Sequence, residues 1–127
     1  MPIVLTTPFS FDPGHGQPVE SYGEMKIVEF VCGVQESQIR MRCQYGDTVD
    51  GTWVPGNAPE SAHVVEDRPA AENVPATSDY TDLVAASRTT ADDEITPGDG
   101  GHSIYVGAAR ELYEWLIARG IYDGTIT

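Results

Sequence analysis

Residues 38–45 alternate with a period of two: Ile39, Met41, Cys43 and Tyr45 are apolar, and Arg40, Arg42 and Gln44 between them are polar. Successive side chains of a strand point to opposite faces, so the pattern demands one buried face and one solvated face. Just upstream, Met25 to Gly33 is rich in β-branched and aromatic residues and is bounded by glycine, the composition of a second strand. Only Val34-Gln35-Glu36-Ser37 separates the two, which makes them an antiparallel hairpin. With Glu36-Ser37 at the turn centre, Cys32 is expected opposite Met41, Phe30 opposite Cys43 and Val28 opposite Tyr45.

The second strong signal lies near the C-terminus. Ile104, Ala108, Leu112, Trp115 and Leu116 recur at helical spacing, with Tyr105 and Ala109 beside them. Ser103 is placed to cap the start, and Arg110 and Glu114 form an i,i+4 pair on the polar side. Arg119 suits the negative end of the helix dipole, and Gly120 suits the C′ position. A shorter helix of about two turns is expected from Ser78-Asp79, with Tyr80, Leu83, Val84 and Ala86 on one face.

The remaining segments are punctuated by turn formers. Pro8, Pro13, Gly14, Gly16 and Pro18 exclude a helix from residues 1–24, which read as an extended arm tipped by Ile3-Val4-Leu5, a candidate edge strand. Asp50-Gly51 marks a turn before the short apolar piece Thr52-Trp53-Val54, which Pro55-Gly56 stops. His63 to Glu66 has the makings of another short strand, and residues 67–77 and 87–101 read as loops. The tail Thr125-Ile126-Thr127 ends in a final short strand or a contact arm. The expected fold is therefore α+β: a small antiparallel sheet built on the hairpin and packed by the C-terminal amphipathic helix, with an N-terminal arm and long loops. It divides into the arm, 1–24, and a single domain, 25–127. Val28, Phe30, Met41, Tyr45, Leu112, Trp115 and Leu116 are the expected core.

Charge narrows the function. Twenty acidic residues against seven basic ones give a formal charge of −13. Nucleic acid and anionic membranes need clustered Lys and Arg, so neither is an expected partner. No apolar run approaches the ~18 residues of a membrane span, and Met1-Pro2-Ile3-Val4-Leu5 lacks the basic n-region of a signal peptide. The expected place of folding is the cytosol, where thiols are reduced. Such acidity suits solubility at high local concentration, or docking onto a basic partner.

Residues able to carry chemistry are few and scattered. His15, His63 and His102 share no metal-binding spacing with one another or with a glutamate. Cys32 and Cys43 fall on one face of adjacent strands without a Cys-x-x-Cys, and the expectation is two reduced thiols packed as small hydrophobes. Asp92, Asp93, Glu94 and Asp99 do not match an EF-hand loop and are expected to be solvated. Gly98-Asp99-Gly100-Gly101 is followed by His102-Ser103, so it lacks the lysine of a phosphate-binding loop. No Gly-x-Ser-x-Gly elbow occurs. The expectation is no catalytic residue, no metal ligand and no cofactor. Trp115 belongs on the apolar helix face, and Trp53 either covers the hairpin or anchors a partner. Ile3, Val4, Leu5, Trp53 and Ile126 are the candidate interaction residues.

Three segments taken together carry a resemblance: Met1-Pro2-Ile3-Val4-Leu5-Thr6-Thr7-Pro8, the hairpin from Lys26 running through Tyr45 to Gly51-Thr52-Trp53-Val54-Pro55-Gly56, and Ala109 to Leu116 followed by Arg119-Gly120 and Gly124-Thr125-Ile126-Thr127. This arrangement, over about half the chain, resembles the small virion proteins encoded among the structural genes of tailed bacteriophages. The resemblance implies a non-enzymatic structural protein, folded in the host cytoplasm and then placed in the virion. It implies homo-oligomers or many copies bound to other virion structural proteins, and leaves open capsid decoration, neck, tail or baseplate. The alternatives are a small acidic inhibitor or adaptor that docks on a basic partner, and an enzyme in which His63 or His102 meets carboxylates in a pocket.

Overall fold

The computed structural model describes residues 2–94 and 102–127, with side chains for 2–87 and 108–127. Along the chain run β1 (Ile3–Phe11), β2 (Glu20–Gly33), β3 (Gln38–Val49), β4 (Thr52–Pro55), β5 (Ser61–Arg68), β6 (Thr77–Ser78), α1 (Asp79–Glu94), α2 (His102–Ala118) and β7 (Gly124–Ile126). The class is α+β. All strands join antiparallel in the order β6-β5-β3-β2-β1-β7, with β4 also on β3, and the sheet curls into a half-barrel.

The hairpin β2–β3 is the centre of this sheet, but its register differs from the expected one. All four residues Val34–Ser37 form the turn, with Ser37 in the left-handed region (φ 52°). Cys32 therefore lies opposite Ile39 and Phe30 opposite Met41. A bulge between Ile27 and Glu29 then shifts the pairing by one, so that Ile27 meets Cys43 and Met25 meets Tyr45. Val28, expected in the core, occupies the bulge and is 38% exposed. An extra residue in one strand has no partner across the ladder, and here it is turned away from the buried face.

Past Gly46, β3 leaves β2 to pair with β4 through the two-residue Asp50-Gly51 turn, both residues at positive φ (51° and 78°). Side chains stitch the gap this opens. Asp47 Oδ1 accepts the Gly23 N–H at 2.8 Å, and the Glu24 carboxylate accepts both the N–H and the hydroxyl of Thr48. Gly46 is needed here, since a Cβ would stand 2.4 Å from the Val54 carbonyl oxygen and 2.7 Å from the Trp53 ring.

Residues 1–24 are not an arm, and a boundary at 24/25 falls inside β2. Strand β1 sits between β2 and β7, with Ile3 opposite Met25 on one side and Ile126 on the other. Pro8 falls in a bulge between Val4 and Phe9, where a missing N–H removes no ladder bond. The C-terminal segment thus completes the sheet beside the N-terminal one.

Helix α1 is longer than two turns and takes in residues 87–94, expected as loop; the rest of that expected loop, 95–101, lies outside the described residues. Its start is capped from a distance: the Asp67 carboxylate on β5 accepts the Thr81 N–H at 3.0 Å and the Thr81 hydroxyl. These bonds hold Asp67 below the usual carboxylate range. Helix α2 ends as its glycine requires. Gly120 (φ 71°) donates its N–H to the Ile117 carbonyl and Ile121 to the Leu116 carbonyl, the paired bonds of a Schellman motif.

One cluster of buried side chains draws on Ile3, Met25, Ile27, Met41 and Val65 from strands and on Leu83, Leu112, Tyr113 and Leu116 from helices. Tyr113 also accepts the Ile27 N–H at 2.9 Å. Ile27 lies two residues past Met25, where the pairing of β2 with β1 stops, so the phenol satisfies a backbone donor at the end of a ladder.

Candidate functional site

The alternation that buries Ile39, Met41 and Cys43 turns Arg40 and Arg42 to the opposite face of β3. The neighbouring registers then build two cross-strand rows on that outer face: Glu29, Arg42 and Ala62, and Val31, Arg40 and Val64. Val31 is 57% exposed and Val64 43%. A groove of about 460 Å³ runs between them. Arg42 is held by Glu60 at 2.6 Å and Glu29 at 3.3 Å, which together raise its pKa. Arg40 has no ion-pair partner among the described residues. A sheet with one solvated face ordinarily places polar residues outward, and the two exposed valines beside Arg40 depart from that pattern.

The inner side carries a polar network. His63 Nε2 lies 3.0 Å from the Tyr122 hydroxyl with the rings edge-on, and the same hydroxyl meets Ser61 and the Cys43 thiol. Tyr45 packs its edge on Tyr122 and stacks on Phe9, with ring centroids 3.9 Å apart. Burial lowers the His63 pKa, pushes the Cys43 thiol up to about 11 and raises Tyr122 further. At neutral pH the set is thus imidazole, thiol and phenol. The thiolate is the nucleophile, and burial disfavours it here. What the network does is tie β5 to the segment that follows α2.

The two helices form a second groove, of about 250 Å³. Leu83, Ala86 and Ala118 line it with the Trp115 ring, and Asp82 and Glu114 stand on its rim. Asp79, at the start of α1, accepts the Trp115 indole N–H at 3.1 Å and pairs with Arg119. Arg110 reaches Glu114 at 3.6 Å.

The sequence-predicted interaction residues do not share one surface. Ile3 is fully buried and belongs to the core, because β1 is an interior strand. Leu5 and Ile126 are half-buried against the same core, and Val4 is exposed. Trp53 lies across Gly46 with the Lys26 ammonium 5.6 Å from its ring. Of the remaining expected core, Met41, Leu112 and Leu116 are buried, while Phe30, Tyr45 and Trp115 are half-buried. Both cysteines are free; Cys32 is exposed beside the Tyr80 hydroxyl and Cys43 is buried. His15 sits in a turn at positive φ (54°). The side chain of His102, like those of Asp92, Asp93, Glu94 and Asp99, lies outside the described residues. Among the described residues no three His, Cys, Asp or Glu side chains gather as a metal site, and no helix is long and apolar enough to cross a membrane. Sequence reasoning missed the Val31–Arg40–Val64 row; the period of two around Arg40 was its only signal, and the partner strands were needed to show the valines beside it. No protein-family model, curated protein or solved structure matches the chain.

Proposed function

We propose that this chain is a non-enzymatic structural subunit of a tailed-phage virion, present in many copies and held to neighbouring subunits through the outer face of β2, β3 and β5. The observation that carries the reading is the row Val31–Arg40–Val64, two exposed valines flanking an exposed arginine on the solvent side of a sheet. Exposed apolar side chains gathered around a groove are what a protein contact surface uses. The likeness of the sequence to phage structural proteins supplies the kind of assembly. In this reading α2 packs across the inner face of the sheet, with Tyr113 and Leu116 turned towards β2, and leaves the outer face for partners. The partners are other virion proteins and further copies of the chain.

The test is incorporation. A chain carrying Val31→Lys and Val64→Lys keeps its core, since both positions are exposed. It is expected to fold and to be left out of particles assembled in its presence. Incorporation at the wild-type level would overturn the assignment of this face. Tight, salt-sensitive one-to-one capture of a single basic protein, with no particle association, would replace the virion reading with the adaptor one.

A further inference from the structure

We propose that copies of this chain associate head to tail, with Arg40 of one copy seated in the acidic groove between α1 and α2 of the next. The inference rests on the assembly reading and names the partner of its surface. Arg42 engages two carboxylates of its own chain, whereas Arg40, one row away between Val31 and Val64, has no ion-pair partner among the described residues. Glu29 and Glu36 line the same groove as Arg40 without pairing with it, so in a chain with 20 acidic and 7 basic residues its exposed guanidinium is available to a carboxylate of another subunit.

The interhelical groove has the chemistry to receive it. Asp82 supplies negative charge, Glu114 shares its carboxylate with Arg110 of its own chain, and Trp115 supplies an aromatic ring. Carboxylates and an indole are the groups a planar guanidinium pairs with and stacks on. One end of the groove already holds a guanidinium, that of Arg119 on Asp79, beside the indole N–H. Leu83, Ala86 and Ala118, which also line the groove, match the apolar flanks of Arg40.

Two copies, each carrying −13, repel over most orientations. Arg42 is paired with Glu29 and Glu60, so Arg40 is the guanidinium of this face that remains for a partner's carboxylate. The two grooves share no lining residue, so each copy can give and receive at once. An interface of two different patches builds a ring if it closes and a filament if it does not.

Sedimentation velocity of the full chain at low and high salt tests this, with circular dichroism to verify folding. Wild type is expected to form oligomers that dissociate as salt rises. Arg40→Glu and Asp82→Arg should each weaken association at least about tenfold. An equimolar mixture of the two variants should recover a complex, because one brings an intact Arg40 and the other an intact Asp82. Asp82→Asn serves in place of Asp82→Arg if the latter unfolds. A wild type that stays monomeric at every concentration, or variants that associate like wild type, or a mixture that does not recover, would each overturn the inference. A chain found in particles but never self-associating removes this proposal and leaves the virion reading intact. A chain that self-associates but is never in particles does the reverse.

Discussion

Replacing Tyr113 with phenylalanine removes one oxygen from the interior and tests the hydrogen bond that joins α2 to β2. The ring is 3% exposed, and its hydroxyl accepts the Ile27 N–H at 2.9 Å. Phenylalanine keeps the ring, so the cavity contribution is close to nil and the main effect is a buried backbone donor left without its acceptor. That costs about 1–3 kcal/mol, against about 5–15 kcal/mol for the whole stability of a small domain. At this chain length each kcal/mol lowers the midpoint by roughly 3–6 °C. Urea unfolding followed by circular dichroism should show a lower midpoint with an unchanged slope, since the surface exposed on unfolding is the same. Leu116→Ala, at a fully buried position beside it, should cost about 2–5 kcal/mol by opening a cavity. A Tyr113→Phe loss below about 0.5 kcal/mol at unchanged slope would refute the reasoning, because the hydroxyl would then not be satisfying the strand.

Two further predictions follow from the inner network. At pH 8 the native protein should titrate one thiol with a disulfide reagent, because Cys32 is exposed while Cys43 is buried with its pKa near 11; unfolding should release the second, and two fast thiols in the native state would contradict the packing. Burial lowers the His63 pKa below its ordinary 6.5, so the unfolded chain binds more protons just below that value. The contribution is complete above 6.5 and is lost as pH falls towards the folded pKa, a slope that His63→Gln should remove from a plot of stability against pH.

What the sequence made legible was local. The period of two over Ile39 to Tyr45, the Asp50-Gly51 turn and the Gly120 helix stop each act within a few residues, and each stands in the structure as a strand, a hairpin turn and a Schellman cap. What escaped depended on distant partners. Strand β1 read as an arm because half of its pairing is with β7 at the other end of the chain. The bulge at Val28 has no turn residue to announce it, and it alone moved a valine from core to surface. Helix α1 read as short because its later residues, Thr89 to Glu94, are polar apart from Ala91 and show no apolar face. The site was hidden for the same reason. Arg40 is an ordinary polar-face arginine until Val31 and Val64 are placed on either side of it.

The most direct test of the account is the amount of this chain in purified phage particles, measured by quantitative mass spectrometry against a major shell protein. A fixed multicopy ratio, reproducible between preparations and lost with the Val31→Lys, Val64→Lys chain, is the predicted result. Washed particles that contain none of it, or only traces that vary between preparations, would contradict the claim that this chain works by holding its neighbours in an assembly.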